Sequence, residues 1–393
     1  MPLNAVVAGH ICLDIIPGMG SLPVDSFREA FRPGRLIEVG SAAMSTGGPV
    51  SNTGLALHRL GIPTHLIGKV GADPFGRIVR SLVESYGPYL AEGMVADAQT
   101  STSYSVIIAP PSMDRTILHD PGANHTFSAD DVDYELVKRA ALFHFGYPPV
   151  MRRMYAVNGR GLVELFRRVK RTGVTTSLDM CYPDPASEGG RADWVAILDA
   201  TLPFVDVFLP SVEELLFMLR RADFEAMTRR GPMLEQVTPA MLHDLSDDIL
   251  RMGVRLLLIK LGERGLYLRT AGKNALDDMG RACPTDQVSW AEKEIWAPCF
   301  RVRVVGTTGA GDATIAGFLS ALLRGMDPED AVTVAVAVGA CNVEAADALS
   351  GLRSWEDTLR RVRAGWERLP LTLDDPAWQW DASRFLYRSQ HDR

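Results

Sequence analysis

The sequence predicts an α/β protein: a three-layer α/β/α core on a mostly parallel sheet, with a small strand-built unit set on it. Three observations lead there. From Ser128 onward, apolar runs of strand length alternate regularly with helical patterns, which calls for a parallel sheet covered on both faces. Strands crowd into the first third outside that alternation, as a small inserted subdomain would. Two glycine turns, at Gly47-Gly48 and Gly309-Ala310-Gly311, each feed an apolar helical pattern.

Ala5 to Gly9 is a short apolar strand ending in glycine, and the HICLDIIPG that follows sets Asp14 among apolar residues. Pro17 to Gly34 reads as a Pro/Gly-rich loop, with a strand expected around Leu36 to Val39. In Gly47 to Pro63 a glycine turn opens a helix with Leu55, Leu57 and Leu60 apolar and Gly61 as its stop. THLIGKVG is the next strand, and Asp73 caps the next helix with Pro74 at its first position. Gln99 to Pro110 and Arg115 to His119 read as paired strands around Pro110-Pro111-Ser112.

The alternation then runs as a helix (Asp130 to Ala140), a strand (Leu142 to Phe145), a helix (Gly161 to Thr172) and a strand (Val174 to Asp179). It continues with a helix (Asp193 to Leu202), the strand Phe204 to Leu209, a helix from Ser211, a helix (Pro239 to Met252) and the strand Leu256 to Lys260. Arg269 to Ile295 is polar and aperiodic, a surface excursion between two edge strands. Val302, Val304 and Val305 alternate as a strand entering the second glycine turn, and Ile315, Phe318, Leu319, Leu322 and Leu323 carry the helix after it. Pro328 to Asp347 reads as a long buried helix, and the last stretch carries Trp378, Trp380 and Phe385.

A chain of 393 residues can bury a large core. Its net charge of −7 argues against nucleic acid or an anionic membrane surface as partner. No apolar run reaches about 18 residues, and the N-terminus lacks a charged signal-peptide region. The five cysteines (Cys12, Cys181, Cys283, Cys299, Cys341) are scattered without CxxC spacing, as expected of reduced thiols in a cytoplasmic protein rather than a metal or disulfide framework.

Chemistry concentrates at the second turn. A strand, a glycine turn and a helix in that order place free N–H groups and a positive helix end around one small cavity suited to a phosphate. Asp312 stands in the first helical turn beside it. A carboxylate is an odd lining for an anion site unless it has a proton to take. G-x-x-x-x-G-K-[ST] is absent, and Thr314 occupies the last glycine position of a G-x-G-x-x-G, so neither common dinucleotide or P-loop pattern applies.

The stretch Gly306-Thr307-Thr308-Gly309-Ala310-Gly311-Asp312 resembles D-T-x-G-A-G-D, the C-terminal signature of ribokinase-like (PfkB-type) carbohydrate kinases. The first half adds the family's other signature: Gly47-Gly48, Asn52, Gly68, Gly71-Ala72-Asp73 and Gly76. The likeness runs roughly from Ala5 to Leu352. It implies an ATP-dependent kinase for a small hydroxylated substrate, built as a kinase domain over 1–368 with lid strands within about 11–46 and 95–120, and a C-terminal extension over 369–393.

Carried over residue by residue, Asp312 is the base and Gly309, Ala310 and Gly311 are the anion hole. Such donors are each worth about 3–4 kcal/mol when aimed at developing charge. Asp14, Gly47, Gly48, Asn52 and Asn124 match substrate positions. Ser211, Lys260, Gly262, Gly265, Thr308 and Asn342 match nucleotide positions, and Glu214 influences Mg²⁺ through water. Several of these types have plainer uses: Ser211 is a natural helix cap, Asn52 a cap or turn residue, Tyr147 a rim or core aromatic, and Asp179 faces either phosphates or solvent.

The first Asp of the signature is Gly306 here. That carboxylate helps relatives hold a monovalent cation, so little dependence on K⁺ is expected. The implied acceptor is a sugar or sugar acid. A nucleoside acceptor stays open, with Tyr104 and Tyr147 as its only candidate stacking pair, as does a non-catalytic sugar- or nucleotide-binding regulator. Exposed lid edges make a homodimer plausible.

Overall fold

A computed structural model describes residues 3–20, 33–34, 36–109 and 115–390. Most of the predicted 17–34 loop and the 110–112 turn lie outside the described residues.

Among the described residues, fifteen strands form two sheets: β1 (Ala5–Gly9), β2 (Cys12–Gly18), β3 (Gly40–Gly47), β4 (Thr64–Gly71), β5 (Met94–Asp97), β6 (Tyr104–Ile108), β7 (Thr116–Asp120), β8 (Leu142–Gly146), β9 (Thr175–Asp179), β10 (Val207–Phe208), β11 (Leu256–Lys260), β12 (Leu266–Thr270), β13 (Glu294–Ala297), β14 (Trp378–Asp381) and β15 (Leu386–Ser389). The large sheet runs β14-β15-β13-β12-β11-β10-β9-β8-β1-β4-β5. It is parallel from β11 to β5 and antiparallel beyond β11. The small sheet, β3-β2-β6-β7, is the lid.

Both faces of the large sheet are covered, as continuous apolar strands require. On β1, Ala5 and Val7 join one core while Val6 and Ala8 join the other. The first core holds the helices Pro49–Arg59, Ala310–Leu323 and Pro328–Asn342; the second holds Arg152–Lys170, Trp194–Thr201, Val212–Leu219 and Pro239–Arg251. Asp73 caps its helix as predicted, accepting from the Gly76 N–H at 2.8 Å.

The expectations fail at identifiable places. The 302–305 run forms no strand: Val304 and Val305 are 61% and 55% exposed, and only Phe300 makes a bridge, to Arg368. Alternation without a sheet edge to join does not make a strand. Leu36 to Val39 is also unpaired, the strand beginning at Gly40, and the expected Phe204–Leu209 strand shrinks to two residues. The long second-core helix has a kink, with Val157, Asn158 and Gly159 left-handed. The polar 269–295 excursion packs inward through Leu276, Met279 and Trp290. Strands β12 and β13 are interior, because β15 and β14 extend the sheet beyond them.

Candidate active site

The two glycine turns lie at the N-terminal ends of two packed helices. Gly309 is left-handed (φ +71°), and a Cβ there would come within 2.6 Å of Ala348, so only glycine makes this turn. The Gly311 N–H, in the first helical turn, has no intrahelical acceptor. The Ala310 N–H instead donates to the Thr307 carbonyl, ahead of the helix, at 3.3 Å, so the three expected anion-hole amides are not equivalent. The turn is pinned from behind by Asn342, whose Nδ2 donates to the Thr308 carbonyl at 2.8 Å. Asn342 is fully buried with its Oδ1 unpartnered. Its position makes it a support of the turn, not an open wall of a nucleotide pocket.

Asp312 is buried and engaged by three donors. Asn52 Nδ2 reaches Oδ2 at 3.1 Å, Thr53 Oγ1 reaches Oδ1 at 2.9 Å, and the Tyr147 hydroxyl reaches Oδ2 at 3.0 Å. Asn52 therefore orients the acid of the second turn instead of capping its own helix. Tyr147, left-handed at φ 65°, aims its hydroxyl at the same carboxylate. Thr53 went unnoticed in the sequence because a threonine early in a helix carries no distinctive pattern.

Lys260, at the end of β11, lies over Gly311; a Cβ on that glycine would be 3.7 Å from Nζ. Its Nζ is 2.7 Å from Asp179 Oδ1. Burial opposes the lysine's charge, but Asp179, Glu214 and Asp312 together raise its pKa. Burial drives Asp179 the other way, well above the usual carboxylate range, with Lys260 partly restraining it and Glu214 and Asp312 adding to the rise. Ser211 and Glu214 form a capping box: Ser211 Oγ accepts the Glu214 N–H at 3.2 Å and Glu214 Oε2 accepts the Ser211 N–H at 2.6 Å. The plainer use of Ser211 is thus the one observed. Gly262 and Gly265 are left-handed between β11 and β12, and a Cβ on Gly265 would come within 2.0 Å of the Ala297 carbonyl.

The residues expected on the acceptor side start at β2. Asp14 is nearly buried, with the Cys12 thiol donating to Oδ1 at 3.3 Å. Burial raises its pKa, offset in part by the Cys12 and Ser105 hydrogen bonds and by Arg115. A Cβ on Gly47 would sit 2.4 Å from Asp14 Oδ2, and one on Gly48 2.5 Å from His10 Nδ1, so both glycines open space around this pocket. Asn124 is fully buried and closes on backbone, accepting from Ile11 N–H at 3.2 Å and donating to Ile11 carbonyl at 2.8 Å. That makes it a clamp on the β1–β2 link. Arg115, just ahead of β7, donates to Thr308 Oγ1 and so joins lid to anion turn.

Residues 11–355 match the family model described as pfkB family carbohydrate kinase. An uncharacterized sugar kinase of Archaeoglobus fulgidus is 28% identical over 298 residues, 76% of this chain and 98% of that protein. Fructokinase with bound ATP from Xylella fastidiosa superposes with a TM-score of 0.67 at 19% identity, covering 93% of this chain and 99% of that one. Arabidopsis thaliana ribokinase complexed with ribose and ATP gives 0.66 at 21% identity, covering 92% and 98%.

Proposed function

Because the chain belongs to the pfkB family of carbohydrate kinases and is thus a phosphotransferase, we propose that it moves the γ-phosphate of ATP to a hydroxyl of a small sugar or sugar acid. Asp312 takes the hydroxyl proton as the oxygen attacks phosphorus and the bond to ADP breaks. Such a loose transition state asks for position and charge more than for a strong base. The observation that carries this reading is Asp312 itself: a buried carboxylate at a helix start, held by Asn52, Thr53 and Tyr147, beside a turn only glycine can make.

On the nucleotide side, the Gly311 amide and Lys260 supply the positive field for the transferred phosphate, with Gly309, Ala310 and Thr308 shaping the turn. The turn between Gly262 and Gly265 gives the nucleotide a close backbone approach, and Asn342 holds the turn from behind. Asp179, Glu214 and Asp312 gather around a single lysine. That excess of hard oxygen donors suits Mg²⁺ bound through its waters, and such an ion would neutralise phosphate charge. On the acceptor side Asp14 binds hydroxyls in the space left by Gly47 and Gly48, while Asn52 and Asn124 act by holding Asp312 and the β1–β2 link.

A nucleoside acceptor finds less support. Tyr147 already bonds Asp312, and Tyr104 packs edge-on against Phe75. We place 369–393 with the kinase domain of 1–368 as one unit, since its strands complete the large sheet. No described helix is long and apolar enough to cross a membrane, and a cytoplasmic setting fits the free thiols. Met44, Ile117 and Leu118 are exposed on the lid, which favours a homodimer through lid strands; a monomer by analytical ultracentrifugation would dismiss it. The primary test is ADP release from ATP across sugars, sugar acids and nucleosides. Turnover confined to sugars or sugar acids is expected, and sugar binding with no ADP formed would mark a regulator instead.

A further inference from the structure

Beside Asp14 lies a second group of side chains that the transfer reaction does not use. His10, in the β1–β2 link, Cys12, at the start of β2, and His119, on lid strand β7, bring one donor atom each within 4.8 Å of one another. The two histidines face each other through Nε2 atoms 3.3 Å apart. A tetrahedral zinc with Zn–N of about 2.0–2.1 Å separates two ligating nitrogens by about 3.3 Å, so the rings already stand at the edge length of that polyhedron.

The far side of the His119 ring is also arranged for ligation. Its Nδ1 is 3.1 Å from Ser105 Oγ, the kind of outer contact that orients a ligating imidazole. His10 is almost wholly buried and its Nδ1 finds no partner. The Cys12 thiol bonds Asp14 Oδ1 and approaches Ser105 Oγ at 3.7 Å, with its sulfur within 4.8 Å of a ring nitrogen of each histidine. Two nitrogens and one sulfur select a borderline-soft ion such as Zn²⁺ over Mg²⁺, and three protein ligands leave a fourth position open.

We propose that His10, Cys12 and His119 form a three-ligand zinc-class site that clasps β7 to the core and keeps an acceptor from Asp14. The binding stands on the cluster alone; the exclusion rests on the acceptor reading of Asp14.

Co²⁺, a coloured stand-in for Zn²⁺, tests both in the full chain. One equivalent is expected to bind with a thiolate-to-cobalt charge-transfer band. Cys12→Ser should abolish the band, and His119→Ala should weaken binding at least about 10-fold, with circular dichroism checking that each variant is folded. No band in the unmodified protein, or an unchanged band in both variants, overturns the site and leaves a histidine pair sharing a hydrogen bond. A sugar that the enzyme phosphorylates should displace Co²⁺ and bleach the band; simultaneous binding overturns the exclusion. A Cys12-dependent band in a protein that phosphorylates no sugar supports the metal site while counting against the proposed function.

Discussion

Asp312 and Asp14 are the same residue type, yet the fold surrounds them with opposite kinds of neighbour. Asp312 starts a core helix and takes three hydrogen bonds from oxygen and nitrogen donors. Asp14 sits on the lid sheet, nearly buried, where the Cys12 and Ser105 hydrogen bonds and the Arg115 charge only partly offset burial, so its pKa is raised. A buried carboxylate whose donors satisfy it is held in place by the protein, whereas one whose neighbours do not fully offset its burial gains when a ligand supplies more. On the proposed reading, the difference separates a group positioned before substrate arrives from one that the substrate's hydroxyls would partner.

The largest expected effect comes from removing the proposed base. Asp312→Asn should lower kcat at least ~100-fold with folding intact by circular dichroism, and near-normal turnover would end its assignment. Asp14→Asn should leave the ATP KM alone and cut kcat/KM for the acceptor about 10- to 100-fold, the value of charged hydrogen bonds of about 1.5–3 kcal/mol. An equal loss at both substrates would erase the distinction between the two acids.

The same contrast has a pH signature. Because the pKa of Asp14 is raised, its proton is regained at higher pH than for an ordinary aspartate. Acceptor kcat/KM should therefore fall as pH drops through that raised pKa, and a pH–rate series on Asp14→Asn should lack this limb. Tyr147→Phe removes one of three donors from Asp312, so a loss of about 3- to 10-fold in kcat is expected. A change in acceptor KM alone would put Tyr147 on the Asp14 side.

Smallest of all should be the response to K⁺. Gly306 stands at the first, acidic position of the D-T-x-G-A-G-D signature that the turn resembles, and a Cβ there would meet the Ala346 and Ala345 carbonyls at 2.9 and 3.0 Å. Replacing K⁺ by a bulky organic cation should change kcat by less than about two-fold; a steep loss would return a cation to this turn.

The glycine turns, Asp312 and Asp14 were legible because each breaks a local pattern: a glycine cluster before a helix, an acid among apolar residues. The alternating strands and helices were legible for the same reason, since burial on two faces leaves continuous apolar runs. Thr53 and the Asp179–Lys260 pair were not, because their meaning comes from partners far away in sequence. The Val302–Val305 run misled because β-branched alternation records only that a strand could form there, while pairing depends on a neighbouring edge that the chain places elsewhere. The 269–295 segment misled in reverse. Its polar composition hides Leu276, Met279 and Trp290, three anchors too sparse to register as a period.

Strands β14 and β15 carry one more consequence. They move the border of the large sheet outward from β13, which holds the buried Ile295 and Trp296, to a short hairpin. Arg388 on β15 pairs with Asp381 across that hairpin at 3.1 Å and with Glu329 on the 328–342 helix. An unpaired apolar edge is a template for sticking to other chains, and charge along the edge guards against it. The hairpin thus covers the edge that β13 would otherwise expose. Removing 369–393 should leave turnover chemistry nearly intact per folded molecule while turning the enzyme toward aggregates, with β13 as the seam along which they grow.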